Sequence, residues 1–311
     1  MSTTTTTTTP SLSERFYPIG QPGVAWGDAE RAQWLARQTS QRSLADVYAR
    51  VRALADRFDV VSYGDVSGHA LLAVTSRDFD AALPTVLVTG GVHGYETSGV
   101  LGAVRFLEGE AAAYAGRINL IVAPCVSPWA FERVQRWNAA ALDPNRSFKA
   151  GGQAAESLAL MAFTAPWRDV VVAHLDLHET TDSDESEFRP AVAARDGKAF
   201  SPGTIPDGFY LVDDSGRPQP AFQRAIIDAV AAVTHIAPAD DKGELIGCAV
   251  KSPGVIEYDV RGLGLCTALT NAPFTTTTEV YPDSPQATAE QCERAQVVAV
   301  LAAIDFVLEN C

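Results

Sequence analysis

The sequence has few cysteines and no long hydrophobic run. The five cysteines are odd in number, widely spaced and without a C-x-x-C pair; they are Cys125, Cys248, Cys266, Cys292 and Cys311. This usage favours reduced thiols in a cytoplasmic protein over a disulfide framework. No apolar run approaches the roughly 18 residues that a membrane-spanning helix requires. We therefore expect no membrane partner.

Positive charge is also in short supply. The chain has 24 lysines and arginines against 38 aspartates and glutamates, which gives a formal net charge of -14. Nucleic acids and anionic membrane surfaces both require basic patches, so neither is an expected partner. A neutral or cationic substrate fits this charge better. The hydrophobic share of 47% and the charged share of 20% are typical of a soluble globular enzyme.

The first ten residues, MSTTTTTTTP, lack the basic and apolar regions of a signal peptide. We expect residues 1–12 to form a disordered, threonine-rich tail. Residues 13–311 show no internal repeat, and their length suits one large domain. The predicted organisation is a tail followed by a single domain.

Hydrophobic periodicity gives the expected elements. Helical spacing is found within Asp28–Phe58, Gln153–Trp167, Pro220–Val233 and Ser284–Asn310. Strand patterns are found at Asp59–Tyr63, His69–Thr75, Ile118–Ala123, Asp169–Leu177, Leu263–Thr270 and Phe274–Val280. Strands that alternate with helices predict an α/β domain with a mostly parallel sheet.

The stretch Pro84–Ser98, PTVLVTGGVHGYETS, organises the chain. An apolar run over Thr85–Thr89 ends at two glycines, and a helical pattern begins near Glu96, so we predict a strand, a tight turn and a helix. His93 and Glu96 then lie at the carboxyl end of a parallel strand, where open α/β sheets bind ligands. The alternative is a loop histidine followed by an acid that the helix dipole favours.

A polar array follows the next predicted strand. It has the form R-x-N-x-x-x-x-D-x-N-R-x-F and consists of Arg136, Asn138, Asp143, Asn145, Arg146 and Phe148. Arg146 with Asn145 could hold a substrate carboxylate, because a guanidinium is a planar, permanently charged donor. Arg136 could stabilise an oxyanion, and Asp143 could accept a hydrogen bond from the distal nitrogen of His93. The alternative is a surface loop with solvated arginines.

Two histidines four residues apart, His174 and His178, suggest a zinc-binding helix, but their surroundings favour a strand. The segment DVVVAHLDL is rich in valine, and in a strand the two residues lie about 13 Å apart, too far to share one ion. Only one of them can be a ligand. We predict His178, at the carboxyl end of the strand, and interpret His174 as a core histidine.

These motifs together resemble the zinc metallocarboxypeptidases, the family of carboxypeptidase A. Bacterial members carry H-x-x-E followed by R-x-N-x-x-G-V-D-L-N-R-N-F; here Ala141 and Leu142 replace Gly-Val, and Pro144 replaces the usual Leu. The resemblance spans roughly residues 84–279. It implies a mixed, mostly parallel twisted β-sheet with helices on both faces.

The resemblance also implies site residues. D-L-H-E is similar to the segment with the family's third ligand, so His93, Glu96 and His178 are expected to hold one Zn²⁺ per chain, with a fourth position open to water. F-T-T-T-T-E-V is similar to the family's last strand, which makes Glu279 the expected general base. Tyr258 is the candidate for the family's mobile-loop tyrosine, with Tyr210 as the other option.

We therefore expect a zinc metallocarboxypeptidase that hydrolyses a C-terminal peptide bond. The first alternative is a deacylase of N-acyl amino acids, like the aspartoacylase and succinylglutamate desuccinylase branch, because the interval between H-x-x-E and N-R is short. The second is a catalytically silent binding protein on this fold. The expected substrate is a peptide or an acyl amino acid, and the oligomeric state stays open.

The segment after His178 is crowded with acids: Glu179, Asp182, Asp184, Glu185 and Glu187. We expect a solvated loop there; a negative rim that selects basic substrate groups is the alternative. Residues 192–216 are rich in Gly, Pro, Asp and Ser, and this composition predicts a loop that could form one wall of the pocket.

Overall fold

The computed structural model describes residues 17–311, so the predicted tail at residues 1–12 lies outside the described residues. The strands are β1 (Asp59–Val66), β2 (His69–Thr75), β3 (Thr85–Gly90), β4 (Asn119–Ala123), β5 (Val171–Glu179), β6 (Tyr210–Asp214), β7 (Glu244–Leu245), β8 (Cys248–Ala249), β9 (Val255–Tyr258) and β10 (Phe274–Val280). Within residues 17–311, eight of them form one sheet in the order β1-β2-β4-β3-β5-β10-β6-β9. β7 and β8 form a separate hairpin.

The α-helices of the described chain pack around this sheet. They are α1 (Asp28–Leu35), α2 (Ala45–Ala53), α3 (Thr97–Glu108), α4 (Pro128–Arg133), α5 (Ala155–Thr164), α6 (Arg189–Arg195), α7 (Pro220–Val230), α8 (Val260–Leu263) and α9 (Ala289–Asn310). No helix within residues 17–311 is both long and apolar enough to cross a membrane.

The centre of the sheet is parallel and buried on both faces. β4, β3, β5 and β10 run parallel, whereas β1, β2 and β6 join through antiparallel pairs. On β3, Val86 and Val88 pack into the core under α3, α7 and α9, while Leu87 packs with Leu160 of α5 on the other face. The predicted fold class is confirmed: one α/β domain with a mixed, mostly parallel sheet between two helical layers.

The predicted strand, turn and helix around Pro84–Ser98 are present as β3 and α3. Glu96 is the N-cap residue of α3 and adopts an extended backbone conformation. The Glu179 carboxylate, at the end of β5, accepts hydrogen bonds from the backbone N–H groups of Thr97 (3.0 Å) and Ser98 (2.5 Å). A carboxylate at the positive end of a helix is favourable, so β5 fixes the start of α3 directly beside the site.

Two local predictions were wrong, and a third, the loop over residues 192–216, was wrong in its bounds, because α6 continues to Arg195 and Tyr210–Asp214 forms β6. Leu263–Thr270 is not a strand: α8 ends at Leu263, the C-cap residue Gly264 has φ +70°, and Cys266–Leu269 forms a 3₁₀ turn. Leu265, Cys266 and Leu269 are buried in this form, since a short apolar run buries equally well as a helix or a strand. The acidic segment is not a loop either, because Asp184–Phe188 is a π-helical turn that continues into α6.

Candidate metal centre and active site

The site lies at the carboxyl ends of β3, β5 and β10, where three parallel strands finish at one edge of the sheet. A cavity of about 980 Å³ opens there. Every site residue predicted from the sequence lines it: His93, Glu96, Arg136, Asp143, Asn145, Arg146, His178, Tyr258 and Glu279. The loop over residues 198–204 also contributes to the wall, as its composition predicted.

Two histidines converge on the carboxylate of Glu96. Nδ1 of His93 lies 2.8 Å from Glu96 Oε1, and Nδ1 of His178 lies 2.8 Å from Glu96 Oε2. The three side chains are buried, and one ligand atom from each lies within 4.8 Å of the others. His93 comes from the turn after β3, Glu96 from the N-cap of α3 and His178 from β5.

Each histidine ring has a second carboxylate behind it. Nε2 of His93 lies 3.1 Å from Asp143 Oδ1, the contact expected from the sequence. Nε2 of His178 lies 2.5 Å from Asp176 Oδ2. Because a carboxylate only accepts hydrogen bonds, Asp143 and Asp176 hold the Nε2 side of the two rings, and the Nδ1 atom of each ring is left facing Glu96.

The donor set fits a divalent metal ion. Two imidazole nitrogens and one carboxylate are the ligands of a catalytic zinc site, for which carboxypeptidase A is the established example. Oε2 of Glu96 is buried and receives no hydrogen bond of acceptable geometry within residues 17–311, although Nδ1 of His178 is 2.8 Å away. Burial alone would raise the pKa of Glu96, but His178 and His93 outweigh it and lower the pKa to about 2. An ionised carboxylate with an unsatisfied oxygen suits a cation.

The turn that carries His93 has little room for change. Gly91 has φ +60°, and a Cβ at Gly94 would overlap the backbone of Ala130 and Phe131 within α4. Arg42, from the N-terminal segment, donates hydrogen bonds to the carbonyl oxygen of Gly94 and, at 2.7 Å, to that of Phe131. The turn that carries His93 is therefore held in place by packing against α4 and by hydrogen bonds from Arg42.

Arg136 is fixed by three polar neighbours. Its Nε donates to Asp143 Oδ2 at 3.2 Å, and its Nη1 donates to the Tyr95 hydroxyl at 3.4 Å and lies 3.6 Å from Asp184 Oδ1. Burial would lower the pKa of Arg136, but the charge of Asp143 and its other neighbours raises it above its ordinary value. A permanent positive charge therefore stands at the cavity wall beside the His93–Asp143 pair.

Asn145 and Arg146 occupy different settings although they are neighbours. The buried Asn145 accepts a hydrogen bond from the Cys266 backbone N–H at 2.7 Å, and its Nδ2 lies 3.4 Å from His178 Nε2. The side-chain oxygen Oδ1 of Asn145 is therefore already hydrogen-bonded within the fold. Arg146 is exposed, and its Nη1 donates a hydrogen bond to the backbone carbonyl oxygen of Asn145 at 2.7 Å. It forms no ion pair within residues 17–311.

Glu279 stands next to His178. The two residues are partners in the parallel β5–β10 register, which places both side chains on the cavity face of the sheet. Thr180 donates a hydrogen bond to Glu279 Oε2 at 3.0 Å, and the Tyr210 hydroxyl in turn lies 2.9 Å from Thr180 Oγ1. Burial raises the pKa of Glu279 to about 8, against the opposing charge of His178.

The two tyrosines raised by the sequence both line the cavity. Tyr210, on β6, pairs in register with Glu279 and is buried. Tyr258 ends β9, two strands away from β10, and lies half-buried in the wall. Burial raises the pKa of the Tyr258 hydroxyl above its ordinary value. Both hydroxyls are therefore neutral proton donors near neutral pH.

Sequence reasoning missed two acids at this site. Asp176 is fully buried behind His178, and the signal was its position two residues earlier on the same strand, which places both side chains on one face. Asp184 accepts a hydrogen bond from the Tyr95 hydroxyl at 3.0 Å and faces Arg136. Glu185 pairs with Arg189, and Glu187 accepts from Tyr17 at 2.9 Å. These acids have partners within the fold and do not form a free negative rim.

Comparisons with known proteins agree with this geometry. Residues 82–199 match the family model described as the succinylglutamate desuccinylase/aspartoacylase catalytic domain. This segment includes the three candidate ligands but ends before Glu279 and Tyr258. No curated protein matches the chain in sequence.

Solved structures share the fold at low identity. A candidate metallopeptidase from Shewanella denitrificans is 21% identical with a TM-score of 0.65, over 85% of this chain and 90% of that one. One from Shewanella amazonensis is 22% identical with a TM-score of 0.65, over 87% and 98%. A metallo-carboxypeptidase from Burkholderia cenocepacia is 16% identical with a TM-score of 0.58, over 86% and 70%.

The resemblance drawn from the sequence motifs is thereby confirmed. At these identities the structural matches establish the fold, while the family model covers the segment with the ligand triad. This chain has a carboxypeptidase-like α/β fold, and its residues 82–199 match the model of the succinylglutamate desuccinylase/aspartoacylase catalytic domain.

Proposed function

We propose that the protein is a zinc-dependent hydrolase that cleaves an amide bond next to a free substrate carboxylate, as a metallocarboxypeptidase does. One observation carries the proposal: the donor atoms of His93, Glu96 and His178 meet in one cavity, with Glu279 in register beside His178. Structural acids do not need this arrangement, whereas amide hydrolysis needs each part of it.

The ligand triad and Glu279 have separate roles in this proposal. A zinc ion held by the triad would act as a Lewis acid toward the scissile carbonyl and would acidify a water molecule. Glu279 takes the proton from the attacking water and later delivers it to the leaving nitrogen. Thr180 and Tyr210 hold its carboxylate through their hydrogen-bonded hydroxyls.

The two arginines interact with different negative charges: Arg136 with the developing oxyanion and Arg146 with the substrate carboxylate. Arg136 is held rigidly by Asp143 and Tyr95, so its charge is fixed before the substrate binds, as stabilisation of a developing oxyanion requires. Arg146 lies at the exposed side of the cavity without an ion pair in the described chain, and it binds the substrate carboxylate.

A second candidate function follows from the family match. The model over residues 82–199 describes desuccinylases and aspartoacylases, which suggests hydrolysis of an N-acyl amino acid in this cavity. The same triad, base and arginines serve that reaction, because both substrates have a carboxylate next to an amide bond. The two functions differ only in what occupies the rest of the 980 Å³ cavity.

A release assay tests the proposal. The zinc-loaded protein is incubated with a mixed panel of free-acid peptides and N-acyl amino acids, and the released amino acids are quantified by mass spectrometry. Removal of the C-terminal residue from peptides supports the carboxypeptidase, while release from acyl amino acids alone supports the deacylase. The same sample after chelation and after zinc is restored is the control, and absence of release from both substrate classes contradicts the hydrolase proposal.

A further inference from the structure

A line of buried polar groups continues from His178 into the sheet. Asp176 Oδ2 faces His178, and its other oxygen, Oδ1, lies 2.6 Å from the Thr89 hydroxyl. Thr89 Oγ1 also lies 3.1 Å from His174 Nε2 and 3.4 Å from Cys266 Sγ. Thr89, Asp176, His174 and Cys266 are all fully buried. Water therefore has no access to replace any of these contacts.

The chemistry of the groups fixes the direction of each hydrogen bond. Asp176 only accepts, so the single Thr89 proton is donated to Asp176 Oδ1. Burial lowers the pKa of His174 to about 4, so its ring is neutral, and Nε2–H donates to Thr89 Oγ1. The other ring nitrogen, Nδ1, is then an acceptor, and it is the atom of His174 that has no partner in the described chain. The line runs from His174 through Thr89 to Asp176.

The register of the strands holds these groups in line. Thr89 on β3 pairs with Asp176 on β5, and His178 follows two residues later on the same face. Without the Thr89 hydroxyl, Asp176 Oδ1 would be a buried acceptor with one hydrogen-bond partner fewer. The Asp176 carboxylate could then rotate about its own bond, and the His178 ring that it holds could rotate with it.

We propose that Thr89 is a positioning residue of the metal centre: by fixing the Asp176 carboxylate, it keeps Nδ1 of His178 directed at the site shared with His93 and Glu96. His174 has the next place in the same line, where it orients the Thr89 hydroxyl. The inference rests on the metal site proposed above. It assigns a role to a histidine and a threonine that the reaction itself does not use.

Zinc affinity tests this role without any substrate. Metal-free wild type, Thr89→Val and Thr89→Ser are titrated with Zn²⁺ against a fluorescent chelator, and Kd is obtained for each. Valine keeps the shape and removes the hydroxyl, whereas serine keeps the hydroxyl. Loss of a group that orients a metal ligand through a hydrogen bond costs roughly 10- to 100-fold in metal affinity. We expect about a tenfold higher Kd for Thr89→Val and a near wild-type Kd for Thr89→Ser.

Thr276→Val is the matched control. Thr276 is fully buried on β10 and donates to Gln223 Oε1 at 2.7 Å, so the variant loses a comparable hydrogen bond far from His178. Its zinc Kd should stay at the wild-type value even if its Tm falls. An equal Kd for Thr89→Val and wild type overturns the proposal, as does an equal weakening in Thr276→Val. If wild type binds no zinc, the metal site and this role are both refuted.

Should Thr89→Val fail to fold, the same question can be asked at His174. His174→Gln keeps an N–H that can reach Thr89, and His174→Leu does not. Weaker zinc binding by the leucine variant than by the glutamine variant supports the proposed line. Equal affinities of the two variants would refute it.

Discussion

Amidation of a peptide's C terminus removes the charge that Arg146 is proposed to bind. The guanidinium is exposed, donates to the Asn145 carbonyl and has no ion pair within residues 17–311. Water can therefore solvate it when no carboxylate is bound, and the full cost of a buried unpaired charge does not apply. What is lost is a charge-assisted hydrogen bond, worth about 1.5 to 3 kcal/mol. Since about 1.4 kcal/mol corresponds to a factor of ten, kcat/KM should fall roughly 10- to 150-fold.

The assay compares a free-acid peptide with its amide on wild type and on Arg146→Ala. If Arg146 binds the carboxylate, the variant loses most of its preference for the free acid, and the two changes together cost no more than either alone. Arg189→Ala is the control, because Arg189 also lines the cavity but is paired with Glu185. That variant should keep the free-acid preference. Equal cleavage of amide and acid by wild type would refute the assignment of Arg146.

Two further outcomes follow from the geometry. Glu279→Gln should keep its zinc, and its kcat should fall by a factor of roughly 10² to 10⁴, because the amide preserves the shape and removes the base. Elemental analysis and steady-state kinetics on one sample measure both quantities. Near-normal turnover would show that Glu279 is a structural acid. Gly94→Ala should lower both Tm and zinc content, since its Cβ would meet the backbone of Ala130 and Phe131. Gly64→Ala is the control, because Gly64 also lacks a positive φ and its Cβ would make only an ordinary contact, 3.5 Å from Leu71 Cδ1.

The sequence predicted the parts of the fold whose patterns are long and consistent. β3, α3 and β10 lie within a residue or two of their expected bounds, because β-branched runs and helical spacing agree there with burial. The placement of His178 at the end of a strand followed from the valines before it, and the strand is β5. Spacing could bring His93 and Glu96 together, since both lie close in sequence to the end of β3, and Asp143 was assigned to His93 through its position in the polar array.

The features that could not be predicted from the sequence depend on contacts between segments that are far apart along the chain. Cys266 is buried against Thr89, and the apolar residues around it are held in short helices, which an isolated apolar run does not reveal. The contact of Asp176 with Thr89 depends on the pairing of β3 with β5, so no local motif predicts it. The exposure of Arg146 likewise results from where the 3₁₀ turn over Pro144–Arg146 lies on the cavity rim.

Zinc content and hydrolysis measured on the same samples show whether the protein is a zinc-dependent hydrolase. Wild type and His178→Ala are purified in parallel, analysed for metal by elemental analysis, and assayed on the same peptide and acyl amino acid panel before and after chelation. We predict one zinc per wild-type chain, amino acid release that chelation abolishes and added zinc restores, and loss of both metal and release in His178→Ala. Undiminished zinc in His178→Ala, or release that persists without metal, would contradict it.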